Sequence, residues 1–125
     1  MNFSKECQIF IDEHTCSKHE ETKAIHVLQK YLPIGSSSID WSRVKNKKTY
    51  SSVARSDLKK ELLSILKSIK PQSAYDFFVI NMDDAVPALK TNIHEWLDFV
   101  SELDFADTLY LSVDNKIVIH WDFYK

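Results

Sequence analysis

Residues 108–124 read TLYLSVDNKIVIHWDFY, and this stretch indicates the fold class more clearly than any other part of the chain. Apolar and polar residues alternate on both sides of Asp114-Asn115, as they do in strands with two different faces. A two-residue connection of this kind suits a tight hairpin turn. We therefore predict a C-terminal hairpin of two strands, 108–113 and 116–124. The core face of the second strand would carry Ile117, Ile119, Trp121 and Phe123, and its other face Val118, His120, Asp122 and Tyr124.

One further strand and several helices precede this hairpin. Residues 75–80, YDFFVI, form a short apolar run typical of a buried strand. Apolar residues at helical spacing predict a helix over 3–14 and another over 58–69. Between them, a capping box from Ser17 to Glu20 predicts the start of a helix that Pro33 and Gly35 end.

Pro87 suits the first position of a helix, and an apolar stripe follows it with a break near Thr91. The stripe consists of Leu89, Ile93, Trp96, Leu97 and Val100. The order of these elements predicts an α/β protein of the α+β type. N-terminal helices would pack with a small, mostly antiparallel sheet that ends in the C-terminal β-hairpin.

The composition fits a single globular domain spanning residues 1–125, with 44% hydrophobic residues and enough aromatic side chains for one core. No apolar stretch reaches the roughly 18–20 residues that span a bilayer. Lys5 and Glu6 interrupt the first ten residues, where a signal peptide needs an unbroken apolar region. We expect a cytoplasmic protein that has no membrane partner and is a monomer or weak dimer.

The chain has only one glycine, Gly35. Loops that cradle the phosphates of nucleotides need several glycines, because backbone N–H groups must approach the ligand closely. We therefore expect no bound cofactor.

Potential metal ligands occur near the N-terminus, but their spacing does not match a zinc site. Structural zinc sites use close pairs of Cys and His, and Cys7 and Cys16 are too far apart for one. The plainer interpretation is a buried Cys7 with solvated histidines, and we expect no metal. The ligands considered are Cys7, His14, Cys16, His19 and His26.

Two patterns with catalytic potential are weak. His94-Glu95 followed by Asp98 resembles the metalloprotease pattern H-E-x-x-H, but Asp98 replaces the second histidine. His120 could act as a general base, although a histidine on the polar face of a strand is usually solvated. A Cys–His pair would also need an oxyanion hole, and no loop marks one. We therefore predict that the protein is not an enzyme.

Charge is unevenly distributed along the chain. Residues 1–70 hold 13 Lys and Arg against 8 Asp and Glu, whereas residues 71–125 hold 3 against 10. Within the first part, segment 43–60 is basic, contains Tyr50 and begins two residues after Trp41, so cationic and stacking groups are interleaved as in some single-strand binders. Because the net charge is −2, nucleic acid is not the favoured partner. A nucleic-acid-associated regulatory protein using segment 43–60 is nevertheless the alternative function.

The acidic residues of the second part are candidates for partner binding. Several follow the end of a predicted helix, where carboxylates oppose the helix dipole and so do not serve local stability. On one surface they would form an anionic patch with an aromatic anchor, able to attract and hold a basic protein. The plainer interpretation is a solvated acidic rim. The candidates are Asp83, Asp84, Asp98, Glu102, Asp104, Asp107, Asp122 and Tyr124.

Residues 75–125 resemble a known class of proteins in the order strand, helix, hairpin. The strands concerned are YDFFVI at 75–80, ADTLYLSV at 106–113 and IVIHW at 117–121. This profile is similar to that of small bacterial immunity proteins, which neutralise polymorphic toxins such as those of contact-dependent growth inhibition. The resemblance implies a non-enzymatic inhibitor, and its expected partner is a cognate toxin domain that acts as a basic nuclease.

Overall fold

The structure is a computed structural model in which, over the part of the chain that it describes, three helices come first, followed by two strands, two short helices and a final pair of strands. It describes residues 3–31, 55–67, 76–81, 86–113 and 117–121. The helices are α1 (Lys5–His14), α2 (Lys18–Tyr31), α3 (Leu58–Lys67, preceded by a 3-10 turn at Arg55–Asp57), α4 (Ile93–Leu97) and α5 (Val100–Leu103). The strands are β1 (Asp76–Asn81), β2 (Leu89–Asn92), β3 (Thr108–Ser112) and β4 (Val118–Trp121).

The described strands form one sheet in the order β2-β1-β3-β4. Every neighbouring pair is antiparallel: Phe77 of β1 lies opposite Thr91 of β2 and Ser112 of β3, and Tyr110 of β3 lies opposite Ile119 of β4. The α+β fold class and the C-terminal hairpin are therefore confirmed. The predicted turn Asp114-Asn115, Phe123 and the helix-ending residues Pro33 and Gly35 lie outside the described residues.

Helix α1 begins at Lys5, slightly later than the predicted start at residue 3, whereas α2 begins at its predicted capping box. Ser4 caps α1, because its Oγ accepts a hydrogen bond from Cys7 N at 3.2 Å. Glu20 N donates to Ser17 Oγ at 3.1 Å, and Ser17 N donates to Glu20 Oε1 at 3.5 Å. These reciprocal contacts confirm the capping box that opens α2.

The prediction of a helix beginning at Pro87 is wrong for its first residues. The chain from Leu89 to Asn92 is a strand that pairs with β1, and its residues alternate between buried and exposed positions. Helix α4 begins only after Asn92, whose Oδ1 accepts from His94 N at 2.9 Å. The conformation thus changes close to Thr91, but from strand to helix rather than between two helices. Four residues cannot show a helical period, and pairing with β1 decides their structure.

Both faces of the sheet are covered by helices. Phe77, Val79 and Tyr110 belong to a core cluster that includes buried residues of α1, α3 and α4. Leu109 and Leu111, next to Tyr110 along β3, belong to a second cluster on the opposite face of the sheet. Residues of α2 complete that second cluster, so β3 is buried along its whole length.

The predicted sides of the last strand agree with this arrangement. Ile117, Ile119 and Trp121 pack against the first cluster, and Val118 packs against the second. Val118 lies on the other face of the sheet, where α2 covers it. A sheet with apolar residues on both faces needs a helix on each. No helix within the described residues is both long and apolar enough to cross a membrane.

Candidate functional site

Helix α1 lies antiparallel beside the α4–α5 segment. Ser4, at the start of α1, contacts Glu102 of α5, whereas His14, at the end of α1, contacts Glu95 of α4 with 3.3 Å between Nε2 and Oε2. Midway, the rings of Phe10 and Phe99 stack with their centroids 4.8 Å apart. Two segments far apart in the sequence thus form one continuous surface.

The contact between Ser4 and Glu102 is the best-defined polar contact of this surface. Ser4 N donates to Glu102 Oε1 and Ser4 Oγ donates to Glu102 Oε2, each at 2.7 Å. These hydrogen bonds lower the pKa of Glu102, the backbone N–H having the largest effect. Glu102 is therefore ionised at neutral pH and fixes the N-terminus of α1.

The outer side of α1 carries two carboxylates and an exposed apolar residue. Glu6, Ile9 and Glu13 are spaced three and four residues apart, so they are neighbours on the helix surface. All three are exposed, Ile9 at 47%. Viewed down the helix axis, Glu6 and Glu13 lie next to Phe10, on the side of Phe10 away from the buried Ile11. Phe10 is the residue of α1 that contacts Phe99. Glu6 and Glu13 therefore lie next to the side of α1 that meets α4–α5, whereas Ile9 lies further round the helix, where its other neighbours are the exposed Lys5 and Asp12.

The neighbouring side of α4–α5 adds further carboxylates. Glu95 has 60% of its side chain exposed, Asp98 is exposed and Glu102 is partly buried. Glu95 and Glu102 are on the side of the segment that meets α1, where they contact His14 and Ser4, and the exposed Asp98 lies between them at the end of α4. We call the combined surface the acidic face. It consists of Glu6, Ile9, Glu13, Glu95, Asp98 and Glu102.

His14 lies beside one of the carboxylates of this surface, and it forms an ion pair with that carboxylate only when both ring nitrogens carry a proton. Its Nδ1 lies 2.8 Å from the carbonyl oxygen of Phe10, and because a carbonyl only accepts, Nδ1 carries a proton and donates it. The ring orientation is thereby set, and Nε2 is directed to Glu95. The ring also packs on Phe10, with 4.5 Å between the centroids.

Only part of the predicted binding set lies on the acidic face. The structure places Asp98 and Glu102 there, but Asp104 is only 4% exposed and lies at the C-terminal end of α5. Asp107 lies just before β3, with its Oδ2 3.7 Å from His120 Nε2. The other predicted residues are outside the part of the chain that the structure describes. They are Asp83, Asp84, Asp122 and Tyr124.

The contribution of α1 was missing from the sequence analysis. The exposed row of Glu6, Ile9 and Glu13 is visible once residues 3–14 are assigned as a helix, because Cys7 and Phe10 define its buried side. Nothing local in the sequence, however, indicates that this row meets α4–α5. That signal is tertiary, since Ser4 and Glu102 are 98 positions apart.

The cysteines and histidines of the N-terminal region do not converge. Among the residues that the structure describes, no group of three or more His, Cys, Asp or Glu side chains could hold a metal ion. Burial, reinforced by Glu102, raises the pKa of Cys7 to about 11. Burial and the nearby Glu20 raise the pKa of Cys16 to about 11 as well. Both thiols are therefore protonated at neutral pH and are poor nucleophiles.

The two patterns with catalytic potential have other roles in the structure. His94 is exposed in the first turn of α4, where its backbone N–H takes part in the cap. Glu95 contacts His14, and Asp98 follows the last residue of α4. The His120 ring lies 3.7 Å from the Asp107 carboxylate, and only 16% of the His120 side chain is exposed. His120 is therefore partly shielded rather than solvated.

The basic segment is described only at its C-terminal end. Lys59, Lys60 and Lys67 are exposed on α3. With Ser56 and Ser64, they line a shallow cavity of about 580 Å³. Residues 43–54 lie outside the described residues, so the nucleic-acid alternative stays a prediction.

The chain was compared with models of protein families, with curated proteins and with solved structures. None of these comparisons found a match to it.

Proposed function

We propose that the protein is a non-enzymatic inhibitor that binds and neutralises a cognate toxin domain through its acidic face. The observation that carries the proposal is the packing of α1 beside α4–α5, which brings carboxylates of both segments onto neighbouring parts of one surface that also carries the exposed Ile9. A surface of this kind attracts positively charged proteins over long distances and accelerates their association. Fast capture is what protection against a toxin requires.

The carboxylates of the acidic face divide into two groups. Glu102 holds the start of α1 through two hydrogen bonds from Ser4, and Glu95 lies beside His14 at the end of the helix. The side chains of Glu6, Glu13 and Asp98 make no hydrogen bond or ion pair with another described residue. Glu6 lies in the first turn of α1, where its charge favours the helix dipole, but all three carboxylates are exposed and accessible to a partner.

A basic nuclease is the toxin that fits this surface best. Its active site must attract the phosphate backbone, so it carries Lys and Arg residues in a positively charged cleft. Carboxylates held on a packed helix pair can occupy the same cleft and exclude the substrate. The resemblance of residues 75–125 to immunity proteins supports the same partner class.

The experiment begins with the tagged protein purified from its native cells. The partner that is recovered with it is then produced recombinantly for kinetic measurements. The product of the adjacent upstream gene is produced and tested in the same way. We expect a stoichiometric complex whose association rate falls as salt is added, because steering by exposed charges is screened. Recovery of the protein without a basic partner would contradict the proposal.

Charge reversal then locates the surface. We expect Glu6→Lys combined with Asp98→Lys to reduce the association rate about tenfold at low salt. The matched control combines Asp57→Lys, in the 3-10 turn before α3, with Glu61→Lys on α3, which changes the net charge equally. An equal loss in both double variants would show that net charge, and not the acidic face, governs binding.

The alternative function is nucleic-acid binding through segment 43–60. The observation that favours it is the row of lysines, Lys59, Lys60 and Lys67, along the exposed side of α3. Retention on heparin or RNA that falls steeply with salt, and that is lost in Lys59→Glu combined with Lys60→Glu, would support this function instead.

A further inference from the structure

We infer that Ile9 is the apolar anchor of the acidic face, and that it enters an apolar recess on the partner bordered by Lys or Arg residues. The inference rests on the proposed function and adds to it the shape and chemistry of the partner's surface. It also assigns different kinetic roles to the anchor and to the carboxylates around it.

Ile9 is a large hydrophobic residue on the exposed side of α1. Among the residues that the structure describes, Ile9 and Val113 are the large hydrophobic residues that are exposed, at 47% and 37%. Cys7, Phe10 and Ile11 already provide the buried side of α1. Ile9 therefore does not serve the core, and it stands between Glu6 and Glu13 on the outer side of the helix.

The helix presents this side chain in a fixed position. α1 is held at its start by the contact of Ser4 with Glu102 and further along by the stacking of Phe10 on Phe99. An isoleucine in a helix has one strongly preferred χ1 rotamer. Because little freedom is lost on binding, burial of Ile9 contributes to affinity with little entropic cost.

The neighbouring carboxylates define what can cover Ile9. A purely apolar surface would remove water from Glu6 and Glu13 without replacing their hydrogen bonds, which is strongly unfavourable. A second copy of this chain docked through the same face would bring these carboxylates against each other, because a two-fold interface pairs identical patches. A recess bordered by Lys or Arg satisfies both the apolar side chain and its charged neighbours.

The experiment measures association and dissociation rates with the recombinant partner that co-purifies with the protein. We expect Ile9→Ala to raise the dissociation rate about tenfold or more, as loss of a central anchor does. Its association rate should change by less than about threefold, because association depends on charge. Glu6→Lys combined with Glu13→Lys should show the opposite pattern, with slower association and a smaller change in dissociation.

Val113→Ala is the matched control, because it shortens the other exposed hydrophobic side chain, and it should leave both rates unchanged. Thermal unfolding should show that Ile9→Ala folds like the unaltered protein. Unchanged dissociation in Ile9→Ala, from a partner that still binds, would overturn the anchor and leave the proposed function standing. If the unaltered protein self-associates and Ile9→Ala abolishes that association, the anchor proposal would also be overturned, because a second copy of the chain would then be what covers Ile9. Failure of the unaltered protein to bind any basic partner would instead contradict the proposed function.

Discussion

At the scale of single residues, Glu102 links the protonation of the acidic face to the stability of the protein. Its carboxylate accepts two hydrogen bonds from Ser4, and they lower its pKa in the folded state from the ordinary value of 4.5. In the unfolded chain the ordinary value returns. As the pH falls below the ordinary pKa, the unfolded state binds a proton at Glu102 before the folded state does. The contribution of Glu102 to stability is therefore complete above the ordinary pKa and is lost as the pH falls through the lower pKa of the folded state.

We therefore expect Glu102→Gln to lower the melting temperature at pH 7, and the difference from the unaltered protein to shrink as the pH is lowered toward 3. Thermal unfolding followed by circular dichroism across this range measures both quantities. Glu6→Gln is the control, because Glu6 has no partner among the described residues, and its effect should be small throughout. A difference for Glu102→Gln that is the same at every pH would contradict the assignment.

Tyr110 provides a second prediction at this scale. It is completely buried, its ring meets Trp96 edge-on at 5.2 Å, and its hydroxyl has no hydrogen-bond partner in the described part of the chain. Because an unpaired buried hydroxyl is unfavourable, we expect Tyr110→Phe to leave the free energy of unfolding unchanged or to raise it by about 1 kcal/mol. Chemical denaturation measures this difference.

A matched variant separates the ring of Tyr110 from its hydroxyl. Tyr110→Leu should destabilise the protein, since it removes the aromatic contact, which contributes about 0.5–1.5 kcal/mol in addition to burial. A loss of stability in Tyr110→Phe as large as in Tyr110→Leu would mean that the hydroxyl does have a partner.

At the scale of elements, the junction between β2 and α4 depends on one side chain. Asn92 ends the strand, and its Oδ1 caps the helix by accepting from His94 N at 2.9 Å. We expect Asn92→Ala to lower the free energy of unfolding by about 1 kcal/mol, the usual effect of losing an N-cap. Asn92→Ser keeps a capping oxygen and should retain most of the stability. Equal losses in the two variants would contradict the capping role.

Strand β3 should be the most protected element. It lies between β1 and β4, and all five of its residues are buried. Amides in such a position exchange only through global unfolding, whereas those of an edge strand exchange through local opening. Hydrogen exchange should therefore be slowest over Thr108–Ser112 and faster over β4. Faster exchange in β3 than in β4 would contradict the strand order.

The elements also show what local sequence can predict. The alternation in 108–113 and 117–121 and the capping box at Ser17 are local signals, and the structure confirms them. The four residues of β2 were assigned to a helix because their strand character depends on pairing with β1, which is a tertiary contact. The acidic face could not be predicted from local sequence either, because it forms only when α1 packs beside α4–α5. Asp98 and Glu102 could be predicted from their position after an apolar stripe, but Ile9 could not be joined to them.

At the scale of the whole molecule, the net charge of −2 is too small to account for steering. Attraction of a basic partner must come from the local arrangement of carboxylates. We therefore expect the association rate to fall about tenfold or more between low salt and 0.5 M salt, and the fall to be shallower in Glu6→Lys combined with Asp98→Lys. Stopped-flow mixing at a series of salt concentrations measures both slopes. Identical slopes would show that association does not use the acidic face.

Hydrogen exchange in the complex tests the central claim most directly, because it shows which surface the partner covers. The recombinant partner is added to the protein, and exchange into peptides of each element is compared with exchange in the free protein. The acidic face predicts slower exchange over residues 5–14 and 93–103, with residues 58–67 of α3 unchanged. Protection of α3 while α1 and α4–α5 exchange as in the free protein would contradict the assignment of the acidic face as the partner-binding surface.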